Sequence, residues 1–96
     1  MQLHGITLRY VLTDVLVRSG GPLTVPELVR AVERDGFSVH GRPSKAVSDA
    51  LRWEIGRGRV RRVARGVYAA GHMPKQTRSR IRRRVADLRL DASAGC

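Results

Sequence analysis

The sequence predicts a small α+β domain in which three helices precede a basic β-hairpin and an arginine-rich helix follows. Three observations predict it. Apolar residues recur at helical spacing in three stretches bounded by glycine or proline, two valine-rich runs flank a short glycine-containing segment, and positive charge is concentrated after residue 56. The 96 residues suffice for a single hydrophobic core. We divide the chain into a domain over residues 1–72 and a basic helix with a short disordered tail over 73–96.

The first two helices are predicted by their boundaries. Residues 6–18 carry apolar side chains at helical spacing, and the SGGP segment at 19–22 ends that pattern. The second helix is expected over about 25–35, because Thr24 and Glu27 have the spacing of a capping box, in which each side chain accepts the other residue's backbone N–H. Gly36 then stands where a helix-ending glycine is expected.

The third helix is predicted to begin at Pro43 or Ser44 and to end near Arg57. One face carries a largely apolar stripe: Val47, Ala50, Leu51, Glu54 and Ile55. The opposite face carries Lys45, Ser48, Asp49 and Arg52. This polar face is either a binding surface or a solvated face on which Lys45 and Asp49 form an i,i+4 ion pair.

Residues 59–63 and 67–70 predict the β-hairpin, because the loop between them ends in a glycine suited to the left-handed conformation. Val60 is expected to point to the core, with Arg59 and Arg61 on the other side. The alternation fails at Arg62 and Val63, which predicts a bulge or a twist there. The large aromatic residues Trp53 and Tyr68 are expected to pack between helix and hairpin, with base stacking as the alternative.

The C-terminal helix is predicted after Pro74, and the last six residues, DASAGC, are expected to fray. Ile81, Val85 and Leu88 form a narrow apolar seam on a helix otherwise covered by arginine. Two partners for this seam remain open at this point: the first helix of the same chain, or the same seam of a second copy in a homodimer.

Charge is segregated along the chain. Residues 57–84 contain eleven Lys or Arg and no acid, whereas residues 1–56 contain seven against six acids. Such a block predicts a polyanionic partner, either nucleic acid or an anionic membrane surface. Of the 19 basic residues 17 are arginine, which suits bidentate recognition of phosphate or guanine. A membrane-surface role is the weakest, because the seam offers only three large apolar residues.

This order of elements resembles the winged helix-turn-helix fold over roughly residues 5–71. The segments PLTVPELVRAVERDGF and RGVYAAG are similar to HARE-type helix-turn-helix modules, and the second is also similar to the DNA-binding heads of AbiEi-type antitoxins. The resemblance implies that the third helix enters the major groove of double-stranded DNA while the hairpin lies on the phosphate backbone or in a minor groove. The candidate DNA-binding residues are Arg42, Ser44, Lys45, Ser48, Arg52, Arg57, Arg59, Arg61, Arg62, Arg65, Lys75, Arg78 and Arg82.

Other classes of function find little support in the residues. The three histidines are far apart, Cys96 is terminal, and no spacing typical of a metal site or phosphate loop occurs, so we expect neither an enzyme nor a cofactor. We expect a transcription regulator or a nucleoid-associated factor. Its expected location is the cytoplasm and nucleoid, since the sequence shows no membrane span, no signal peptide and no pair of cysteines. The alternatives are an RNA- or ribosome-associated module and a protein-interaction domain.

Overall fold

The computed structural model describes residues 1–94, which form four helices and two small sheets. The elements in chain order are β1 (Gln2–Leu3), α1 (Gly5–Ser19), β2 (Leu23–Thr24), α2 (Val25–Arg34), β3 (Ser38–Val39), α3 (Pro43–Gly56), β4 (Val60–Ala64), β5 (Val67–Ala70) and α4 (Lys75–Ala94). Strands β1 and β3 pair in parallel, and the other three form an antiparallel sheet in the order β2-β5-β4. The predicted α+β class is confirmed.

The helix boundaries lie within two residues of those predicted, because the local signals operate as expected. Gly20 ends α1 in the left-handed conformation, with φ of 69°. At the start of α2, the Glu27 N–H donates to Thr24 Oγ1 (3.3 Å) and the Thr24 N–H donates to Glu27 Oε1 (2.9 Å). The bonds that Glu27 accepts, first the backbone one and then the one from the Thr24 hydroxyl, lower its pKa from the ordinary value.

The hairpin of β4 and β5 is also confirmed, including its irregularity. Val60 pairs with Ala70 and Arg61 with Ala69, and the register shifts between Arg62 and Ala64. Gly66 allows the turn, with φ of 72°. The sequence did not predict β2, whose two residues pair with β5 and tie the hairpin to the connection between α1 and α2.

Helix α1 lies at the centre of the fold. It packs against α3 on one side and α4 on another, whereas α3 and α4 share no extensive interface. Ile81, Val85 and Leu88 of α4 are all buried in the core of the same chain. The structure therefore gives these three residues a partner within the chain, α1, and does not support the alternative of a homodimer through them.

Two further observations bear on the expectations about the C-terminal region, of which the expectation of a frayed tail needs correction. Residues 73–94 share the hydrophobic core with residues 1–72, so α4 is an integral helix of the domain. The predicted frayed tail is helical over residues 91–94, and the remainder of that prediction, with Cys96, lies outside the described residues.

Candidate nucleic-acid interface

The polar face of α3 is open to solvent. Val47, Ala50, Leu51 and Glu54 are buried, which turns the opposite side of the helix outward. An open depression on that side is lined by Lys45, Asp49, Arg52, Trp53, Gly56 and Arg57. Ser48 is only half-buried, whereas Ile55, expected in the buried stripe, is 38% exposed.

Trp53 does not occupy the position predicted for it. Its side chain is 63% exposed, so the expectation that it packs between helix and hairpin is wrong. The guanidinium carbon of Arg9 lies 5.4 Å from the centroid of the indole ring. The neighbouring residue Glu54 is the one that turns inward, toward α1 and the start of the hairpin. Tyr68 is half-buried against the core, as expected.

Glu54 is the centre of a buried ionic network. Its Oε2 accepts a hydrogen bond from Thr13 Oγ1 (3.1 Å) and lies 3.5 Å from Arg59 Nη1. Its Oε1 lies 4.0 Å from Arg9 Nε. The Arg59 side chain is only 15% exposed and also lies over the Tyr10 ring. Among the candidate DNA contacts, Arg59 therefore differs from the exposed arginines of the hairpin, because its charge faces an interior carboxylate.

A second ionic network joins the helices on the far side of α1. Arg18 Nε donates to Asp14 Oδ2 (2.9 Å), and Arg18 Nη2 donates to Asp35 Oδ2 (2.8 Å). Arg89 Nη2 of α4 donates to the same two atoms, at 3.4 Å for Asp14 and 3.2 Å for Asp35. This cluster pairs two arginines with two aspartates and fastens α4 to α1 and to the end of α2.

The remaining cations are unneutralised. Besides the four arginines of these networks, Lys45 pairs with Asp49, at 3.1 Å. The other fourteen Lys and Arg residues are all exposed and form no ion pair within residues 1–94. They are Arg30, Arg34, Arg42, Arg52, Arg57, Arg61, Arg62, Arg65, Lys75, Arg78, Arg80, Arg82, Arg83 and Arg84. Ten of the eleven basic residues in 57–84 belong to this set, so the charged block is an exposed surface rather than an internally paired one.

Six of these fourteen cations line depressions that define two surfaces. The α3 surface consists of Lys45, Arg52, Trp53 and Arg57 around one depression. The α4 surface consists of Arg61, Lys75, Arg78 and Arg82: Arg78 lines one depression with Arg61 at the base of the hairpin and another with Lys75 and Arg82 beside α1. Because α1 separates α3 from α4, the basic block does not lie on a single helix face.

The other candidates occupy the hairpin and the start of α3. Arg62 and Arg65 are exposed on the hairpin, and Arg62 Nε donates to the Ala64 carbonyl oxygen (3.4 Å). Arg61 Nε donates to the Ala70 carbonyl oxygen (3.3 Å). Arg42 and Ser44 are exposed at the N-terminus of α3, where backbone N–H groups are available to a phosphate.

Comparison with known proteins identifies no relative. No family model, curated protein or solved structure matches the chain. Within residues 1–94, the His, Cys, Asp and Glu side chains form no group of three or more that could hold a metal ion. No helix in the same range has the length and apolarity required to cross a membrane.

Proposed function

We propose that this protein binds double-stranded DNA as a winged helix-turn-helix domain, with α3 in the major groove and the β4–β5 hairpin on the phosphate backbone. Such a domain would act as a small transcription regulator or a nucleoid-associated factor. Its arrangement supports this: three helices precede a two-stranded hairpin, and the third helix buries one face while exposing a polar one. An α-helix with such an exposed face fits the width of the major groove.

The observation that carries the proposal is the set of fourteen exposed cations without a carboxylate partner in the described part of the chain. Like charges held on one small surface repel each other, and a polyanion relieves that repulsion. The carboxylates of Asp14, Asp35 and Glu54 instead form ion pairs with other Arg residues, which join elements of the fold. DNA phosphates are regularly spaced anions that match this surface.

Within α3, the residues divide into positioning and reading roles. Arg52 is exposed and lines the depression of the α3 surface, where a guanidinium can donate two hydrogen bonds to guanine O6 and N7. Arg42 and Ser44 lie at the helix start and suit phosphate contacts. Asp49 holds Lys45 in an exposed ion pair, so its carboxylate reduces the attraction of Lys45 for a phosphate.

The proposal is tested by titrating labelled duplex DNA with the protein at increasing salt and following fluorescence anisotropy. We expect the logarithm of the binding constant to fall linearly with the logarithm of salt concentration, with a slope of about −0.9 for each phosphate contacted. A structured RNA of equal length is the matched competitor. Absence of duplex binding at low salt would refute the proposal, and preferential binding of the RNA would replace it with an RNA-binding role.

Single substitutions distinguish residues that contact phosphates from residues that contact bases. Arg62→Ala should weaken binding to all duplexes alike, because a phosphate contact carries no sequence information. Arg52→Ala should cost about 1–3 kcal/mol on the preferred sequence and also blur the preference, as expected of a base contact. Selection from random duplexes before and after each change measures both. Identical effects of the two substitutions on every sequence would indicate purely architectural binding.

A further inference from the structure

Trp53 is the one tryptophan of the chain and one of its most exposed large side chains. An indole carries more apolar surface than any other side chain, and leaving it in water forgoes the stabilisation that burial would give. It projects beside Arg52 and Arg57 from the helix that the proposed function assigns to DNA. The exposure of this indole beside cationic side chains is therefore not explained by a contribution to the hydrophobic core.

The indole is held in place from one side. The Arg9 guanidinium lies 5.4 Å from the ring centroid, within the range of a cation–π interaction. Arg9 is itself drawn toward the buried Glu54 carboxylate, and its side chain is largely buried. The ring is thus positioned by a residue that cannot move freely, so the entropic cost of binding a flat ligand is reduced.

The surface next to the indole is open. The depression that Trp53 shares with Lys45, Arg52 and Arg57 is also lined by Gly56. A Cβ atom at Gly56 would have no heavy atom within 4 Å beyond the adjacent helix backbone, so the surface is open at this glycine. A second depression on the Arg9 side is lined by His4 and His40 as well as Trp53.

We propose that Trp53 is a stacking platform for an unpaired base, so that the protein prefers DNA containing a single-stranded or extruded nucleotide to fully paired DNA. This rests on the proposed DNA-binding function. A nucleotide combines a flat π-face with a phosphate, and the α3 surface combines a flat indole with exposed arginines. An apolar protein surface would leave those arginines desolvated and unpaired, so charge complementarity favours the nucleic acid.

The experiment uses the intrinsic fluorescence of Trp53 together with anisotropy of labelled DNA. A perfect duplex is compared with the same duplex carrying an internal mismatched bubble. Stacking of one base is expected to tighten binding of the bubble by about five- to a hundredfold, and to quench Trp53 more strongly with the bubble than with the perfect duplex. Equal affinity and equal quenching for the two DNAs would overturn the inference.

Variants separate stacking from a general weakening of binding. Trp53→Ala should reduce the bubble affinity to that of the perfect duplex, and Trp53→Phe should retain part of the preference. Leu90→Ala is the matched control, because Leu90 is 70% exposed on α4 and lies outside both cationic surfaces. If Trp53→Ala weakened both DNAs equally, Trp53 would contact paired bases instead, which would overturn the inference. Failure of the DNA-binding proposal is distinguishable, because neither DNA would then bind.

Discussion

At the scale of single residues, Glu54 has the most consequences for the site. It lies on the buried face of α3, and its carboxylate faces Arg9 of α1 and Arg59 at the start of the hairpin. Its Oε1 accepts no hydrogen bond from residues 1–94. The attraction between this oxygen and Arg9 Nε, at 4.0 Å, therefore offsets the free-energy cost of burying the oxygen. One carboxylate therefore fixes three elements relative to each other and positions Trp53 through Arg9.

We predict that Glu54→Gln costs about 3 kcal/mol of unfolding free energy, because the side chain keeps its volume while two largely buried guanidiniums are left without a counter-charge. Urea unfolding followed by circular dichroism measures the change. The matched control is Asp49→Asn, which removes a carboxylate from the exposed pair with Lys45 and should cost less than about 0.5 kcal/mol. Equal effects of the two substitutions would show that the charge of Glu54 does not hold the fold.

Glu54 and its partner Arg59 show which features of the site could be predicted from the sequence and which could not. Helical spacing identified four of the five stripe residues as buried, including Glu54 but not Ile55, yet it did not reveal which cations would pair with that carboxylate. Arg59 and Arg61 were indistinguishable in the sequence, whereas the structure buries the first against Glu54 and exposes the second. Ion pairing between residues distant in sequence depends on tertiary geometry, so the exposed cations were predictable as a block but not individually.

At the scale of elements, the sequence predicts the apolar seam of α4 but leaves open what packs against it. The seam of Ile81, Val85 and Leu88 was predictable from its spacing, and the structure covers it with α1. The short strands β1, β2 and β3 were not predicted as pairs, because two residues give too little periodicity to indicate a strand. Long elements with caps were therefore predictable, while the pairings that fasten the hairpin were not.

We predict that Ile81→Ala lowers the unfolding free energy by about 2–5 kcal/mol, because it removes buried apolar volume between α4 and α1. Leu90→Ala on the same helix should change it by less than about 0.5 kcal/mol, since that side chain is mostly in water. Thermal or urea unfolding of both variants provides the measurement. A cost for Ile81→Ala as small as that for Leu90→Ala would mean that α4 does not dock on α1 in solution.

At the scale of the whole molecule, six of the exposed cations lie on two surfaces, one on α3 and one running from the hairpin base along α4. The α3 surface carries Arg52 and Arg57, and the α4 surface extends from Arg61 at the hairpin base to Arg82. Coulomb attraction to phosphate operates on both, but only the α3 surface belongs to a helix proposed to read bases. The two surfaces should therefore contribute differently to affinity and to sequence preference.

We predict that replacing Lys75, Arg78 and Arg82 together by alanine reduces the salt slope by up to about 2.7, at about 0.9 for each phosphate that the variant no longer neutralises, and leaves the preferred sequence unchanged. Anisotropy titrations at several salt concentrations measure the slope, and selection from random duplexes measures the preference. The control is the triple alanine variant of Arg80, Arg83 and Arg84, which removes the same charge from the opposite flank of α4. Because the two variants have equal net charge, a difference between their slopes indicates direct phosphate binding rather than a general electrostatic effect. A slope unchanged by the first variant would show that the α4 surface is a solvated helix face, and an equal reduction by both would show that phosphates are attracted by total charge alone.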